Sequence, residues 1–178
     1  VQKVICRMNK QQKMILQVIK GILSVDNISD YLKDSVIRYG FLNYIAKYSL
    51  ASDRYFVTPR SLKFIQDKGY LLNGELRRSL KSKKNGFTYE HPIPANVIGN
   101  IIINSERPVD VASKILKVSD CVTILTHEEN AELSKRLRSK MPDGWSWQSD
   151  EVYARYFNCY IVKEKPKNTI KMIGSIVR

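Results

Sequence analysis

Cys121-Val122-Thr123-Ile124-Leu125-Thr126-His127-Glu128-Glu129-Asn130 is the stretch on which the fold turns. Its first half is a short apolar run rich in β-branched residues, the composition of a buried strand. Its second half opens a helix. Thr126 with Glu129 three residues later forms a capping box. Glu128, Glu129 and Glu132 lie near the start, and Lys135, Arg136, Arg138 and Lys140 near the end, an order that complements the helix dipole. The spacing predicts a helix over 126–140 with Leu133 and Leu137 on its buried face. Asn130 continues that face and His127 falls three residues earlier, so both are expected to point inward from the start of the helix. A strand feeding a capped helix, in a chain otherwise dominated by helical spacing, predicts a mainly helical α+β fold. A helical N-terminal part would be joined to a small β-containing core.

Upstream, Phe87-Thr88-Tyr89-Glu90-His91 alternates as a half-buried strand does, and Pro92 and Pro94 end it. Asn85-Gly86 is a turn signal before it. Residues 75–84 carry a basic run containing Arg77, Arg78, Lys81, Lys83 and Lys84. Ala95–Ile103 is apolar and short, and its β-branched content fits a buried helix or a strand. Pro108 opens a further helix with Val109, Ala112, Ile115 and Leu116 on one face.

The N-terminal third reads as three helices. Asn9 caps the first, over 9–24. The second starts at Asp26 or Asn27 and runs to about residue 50, with Gly40 marking a kink or a close helix crossing. Thr58-Pro59 starts the third, which stops at Gly69. Tyr31, Tyr39, Tyr44, Tyr48 and Tyr55 read as core and rim residues, with base stacking as the functional alternative. After Pro142-Asp143-Gly144, a turn, Asp150 is expected to cap a short helix. Thr169–Val177 reads as a last strand or a tail. The whole chain, 1–178, is expected to be one domain, with a helical subdomain over 1–72 and a catalytic part over 73–178.

Thirty Lys and Arg against seventeen Asp and Glu give a net charge of +13. Such an excess favours a polyanionic partner, and nucleic acid leads, DNA ahead of RNA. No apolar run approaches the roughly 20 residues that span a bilayer, so no membrane partner is expected. The scattered N-terminal bases read as no signal peptide. Cys6, Cys121 and Cys159 form no C-x-x-C pair, which argues against a disulfide framework or a cysteine zinc site and for a reducing, cytoplasmic setting.

Glu90-His91 on a first strand, then a second strand and a helix opening with His127 and Asn130, resembles the site of the ββα-metal (HNH) nuclease superfamily. The resemblance implies that His91 is the general base and that Glu90 holds a divalent metal with His127 or Asn130, Mg²⁺ or Mn²⁺ ahead of Zn²⁺. Thr126 lies 35 positions after His91 (126 − 91), farther than in the compact form of that site, and the zinc-knuckle cysteines are absent. The expected function is an endonuclease of restriction, toxin or mobile-element type, with catalytic residues His91, Glu90, His127 and Arg155. Arg77, Arg78, Lys81, Lys83, Lys84, Lys135 and Arg138 would hold the nucleic acid. Two alternatives remain open. One is a metal-independent RNase in which His91 and His127 act as base and acid, with Arg155 or a lysine on the phosphate. The other is a basic nucleic-acid-binding protein without catalysis.

Overall fold

The computed structural model describes residues 8–52, 54–77, 85–149, 151–163 and 169–173. Its centre is β5 (Thr123–Thr126), every residue of which is buried. β5 pairs in parallel with β1 (Arg54–Val57) and antiparallel with β4 (Phe87–Glu90). β6 (Thr169–Ile173) joins the far side of β1, then β3 (Glu75–Arg77) and β2 (Leu71–Leu72) complete a six-stranded mixed sheet in the order β2-β3-β6-β1-β5-β4. The architecture is the mainly helical α+β fold expected.

Alternation along the strands separates the two sheet faces. Tyr55, Val57, Phe87, Tyr89, Val122 and Ile124 face α4 (Pro59–Asp67), whose Ile65 is fully buried among them. Leu125 and Phe56 face the other way, onto α7 (His127–Leu137) and the short α8 (Ala154–Asn158). Beside this sandwich stands a helical layer. α1 (Lys10–Leu23) and α3 (Ser35–Leu50) share one core with α5 (Ala95–Ile103) and α6 (Pro108–Val118). Elements on both sides of residue 72 are therefore built into one another, through that core and through the sheet.

The local helix signals are realised as they were read. Asn9, Thr58 and Thr126 each close a capping box, at α1, α4 and α7. The ambiguous 95–103 stretch is a helix. The expected long second helix is broken instead. A four-residue α2 (Ile28–Tyr31) precedes α3, and Asp34 caps α3 through the Val36 and Ile37 amides. Asn27 holds the N-cap position of α2 in left-handed backbone, without a side-chain cap hydrogen bond. Gly40 is not at a crossing, because a Cβ built there meets nothing within 4 Å. The close approach lies at Gly99, where a Cβ would overlap Leu42 of α3. Tyr48 and Tyr55 are core, as read, while Tyr31, Tyr39 and Tyr44 are exposed. α8 starts after Tyr153, and Asp150 lies outside the described residues.

Candidate functional site

The β4–β5 register fixes where the candidate residues stand. Glu90 lies opposite Thr123, and Phe87 opposite Thr126. Three residue steps separate those two levels, about 10 Å of strand. His91 lies one step beyond the Glu90 end and His127 one step beyond the Thr126 end, where its N–H donates to the Gly86 carbonyl. The two histidines are therefore at opposite ends of the ladder. α7 then runs back along the β4–β5 pair for about 16 Å. The part of the helix that reaches Glu90 and His91 is its C-terminal end.

What meets Glu90 there is Arg155, from α8. Its side chain is fully buried, and its Nη1 donates to Glu90 Oε1 at 2.9 Å and to the His91 carbonyl at 2.9 Å. Nε and Nη2 donate to the Leu137 carbonyl, and Nη2 also donates to that of Arg138 at 3.0 Å. These are the orphan carbonyls that every helix C-terminus carries. Arg155 thus ties the end of α7 to the end of β4. Burial pushes the Glu90 carboxyl above its ordinary value, and the Arg155 guanidinium opposes that shift without cancelling it. The Glu90 side chain keeps 22% exposure, so the pair stands at the rim of the core. Beneath it burial holds the Tyr156 hydroxyl well up, reinforced by the Glu90 charge, and pushes the Cys121 thiol up to about 12.

The opposite end of the sheet brings two helix starts together. β1 and β5 are parallel, so α4 and α7 both begin at their C-terminal ends. Thr58 caps α4 and also donates from Oγ1 to Glu129 Oε2 at 3.0 Å. Glu129 accepts from the Thr126 amide at 2.9 Å as well. One carboxylate therefore satisfies groups at both caps. Burial raises the Glu129 carboxyl, while those donors and Arg60 pull against it. The inward residue at the start of α7 is Glu129, in line with Leu133 and Leu137, and His127 is exposed. The expectation of an inward His127 is corrected on this point. Thr58, 71 positions away, is the partner that turns Glu129 inward.

Of the candidate catalytic set, the fold brings Glu90, His91 and Arg155 together and leaves His127 apart. Asn130 lies one turn down α7, half-exposed, with no hydrogen bond to Glu90 among the described residues. Glu90, His127 and Asn130 do not converge on one point, and the Glu90 carboxylate already faces a cation. Among the described residues, no group of three or more His, Cys, Asp and Glu side chains stands where it could hold a metal ion.

Lys135 and Arg136 are exposed on α7, and Arg138 and Lys140 are exposed just beyond its end. Arg78, Lys81, Lys83 and Lys84 lie outside the described residues, and Arg77 is placed by its backbone at the end of β3. Among the described residues no helix is long and apolar enough to cross a membrane. The sequence marks Glu129 as a cap and Arg136 as a helix-end cation, and neither as a site residue. The capping box singled out Glu129, but its second partner is visible only in the fold. Comparison with protein-family models, with curated proteins and with solved structures finds no match.

Proposed function

We propose that the protein binds nucleic acid through its exposed basic faces, with the Glu90–Arg155 pair serving as an internal brace and not as a hydrolytic centre. One observation carries this reading. The end of α7 presents Lys135, Arg136, Arg138 and Lys140 to solvent in a chain of net charge +13. Such a surface suits phosphate contacts. The test is direct titration of labelled duplex and single-stranded DNA, and of RNA, across a salt series. Binding that weakens linearly with log salt supports the reading; no binding to any of them at low salt refutes it.

Phosphodiester cleavage is the second reading, and the rim position of Glu90 beside His91 favours it. Plasmid DNA and tRNA incubated with the protein in Mg²⁺, Mn²⁺ or EDTA test it. Cleavage lost in His91→Ala with binding retained supports a site there. Cleavage that persists in that variant refutes it.

A further inference from the structure

Tyr160 occupies a position where its side chain is a handicap. α8 closes at Cys159, and the next residue turns left-handed, with φ 57°. The Ile161 N–H then donates back to the Tyr156 carbonyl at 2.9 Å. That place after a helix is glycine's, because any Cβ there is crowded by backbone; asparagine is the usual substitute. A bulky residue in this conformation is an outlier. The ring gains no burial in exchange, being 83% exposed, while the neighbouring Cys159 and Val162 are buried. What the ring meets is the Arg136 guanidinium, 5.7 Å from its centroid. Lys135 and Arg138 are exposed on the same end of α7, and Lys163 is exposed three residues on. Glu132 is close by, with its carboxylate paired to Lys135 at 2.7 Å.

We propose that Tyr160 is a stacking platform for a base of single-stranded nucleic acid. Arg136 backs the ring, and the exposed Lys135 and Lys163 take the flanking phosphates. The inference rests on the nucleic-acid reading above and adds the contact and the strand state. Backbone strain retained at an exposed residue points to a use for that side chain. A flat ring among cations matches an unpaired base between phosphates, and a duplex hides its base faces from such a ring. An apolar protein partner would call for apolar neighbours, and the contact shown here is a guanidinium.

Anisotropy titrations of the full chain against two labelled strands test this. One is an oligothymidylate about 20 nucleotides long, longer than an ordinary binding site; the other is an abasic strand of the same length. The wild type is expected to prefer the base-bearing strand by about fivefold or more, as one stacked base supplies. Tyr160→Gly is expected to lose that preference and keep its affinity for the abasic strand. Because the left-handed strain is relieved, it is also expected to melt about 2–4 °C higher. Tyr160→Phe is expected to behave as the wild type. The proposal is overturned if Tyr160→Gly binds the oligothymidylate as tightly as the wild type does. It is overturned equally if both strands weaken alike, or if the variant melts lower. Failure of the wild type to bind either strand would instead remove the nucleic-acid reading itself.

Discussion

Replacing Arg155 with methionine tests the brace at the end of α7. The substitution keeps a long side chain in the core and removes the guanidinium. Three carbonyls, of His91, Leu137 and Arg138, lose their donor, and Glu90 loses its counter-charge. Breaking a buried pair from one side costs about 3–5 kcal/mol. Glu90 is still 22% exposed and recovers part of its hydration, so the lower end applies, about 3 kcal/mol. Glu90→Gln keeps an acceptor for Nη1 and is expected to cost less, about 1–2 kcal/mol. The double variant strands no charge, so its cost should fall short of the sum by about 1 kcal/mol or more. The Arg155→Met deficit also carries a pH signature. Burial already raises Glu90 in the folded state, and without Arg155 nothing opposes that shift. A carboxyl whose folded value is raised binds its proton more tightly in the native state. Stability is then kept at low pH and lost as pH rises through the folded value. The deficit should therefore be smaller near about pH 5 than near about pH 8. Urea denaturation of the four proteins at both pH values measures all of this. A deficit below about 1 kcal/mol, strict additivity, or an equal deficit at both pH values would refute the brace.

Asp120 gives a second pH test. It accepts from Gln12 Nε2 at 2.6 Å, and burial pushes its carboxyl up to about 6 with Gln12 opposing. The wild type should lose stability as pH rises from about 4 to about 6. Asp120→Asn keeps an acceptor for Gln12 and should be more stable at pH above that window by about 1–2 kcal/mol, allowing for partial exposure, with no difference below it. Urea midpoints across the range decide, and a variant less stable throughout would contradict the assignment. Two glycines should respond with opposite signs in thermal melts. Gly40→Ala fills open space in a helix and should stabilise by about 0.5–1 kcal/mol. Gly99→Ala drives a Cβ into Leu42 and should destabilise by about 1–3 kcal/mol. For the basic face, Lys135→Ala with Arg138→Ala should weaken DNA binding and flatten the log–log salt dependence by about 1.5, at roughly 0.7–0.9 per phosphate contact. An unchanged slope would place the contacts elsewhere.

Local signals carried the helices and long-range pairing carried the rest. Thr126, Thr58 and Asn9 announce their helices because a cap is satisfied within four residues. The helical spacing runs on across 28–50 and hides the second start at Asp34, which caps α3 after the short α2 that begins at Asn27. β1 is four residues long and sits between α3 and the α4 cap. Its strand character comes from β5 and β6, whose register lies far away in sequence. The same holds at the candidate site. Glu90, His91 and Arg155 were each picked out as chemically able residues, and the fold does join them. Their relation is not in the motif, because it depends on α7 doubling back so that Leu137 and Arg138, and not His127, arrive beside Glu90.

That reversal bears on how the basic face can work. Lysines and arginines in a last helical turn commonly turn back onto their own orphan carbonyls. At the end of α7 the carbonyls of Leu137 and Arg138 already have a buried donor. Arg155 serves Leu137 and Arg138, and Asn96 Nδ2 donates to Ser139 at 2.9 Å. The exposed cations of the same turn are thereby released from capping. Arg136 lies against the Tyr160 ring, while Arg138 and Lys140 extend into solvent. A buried arginine that fixes the helix end, and surface cations left for a polyanion, are two parts of one arrangement. It follows that Arg155 variants that still fold should lose affinity only as far as the end of α7 frays, and that loss should be recovered at low temperature.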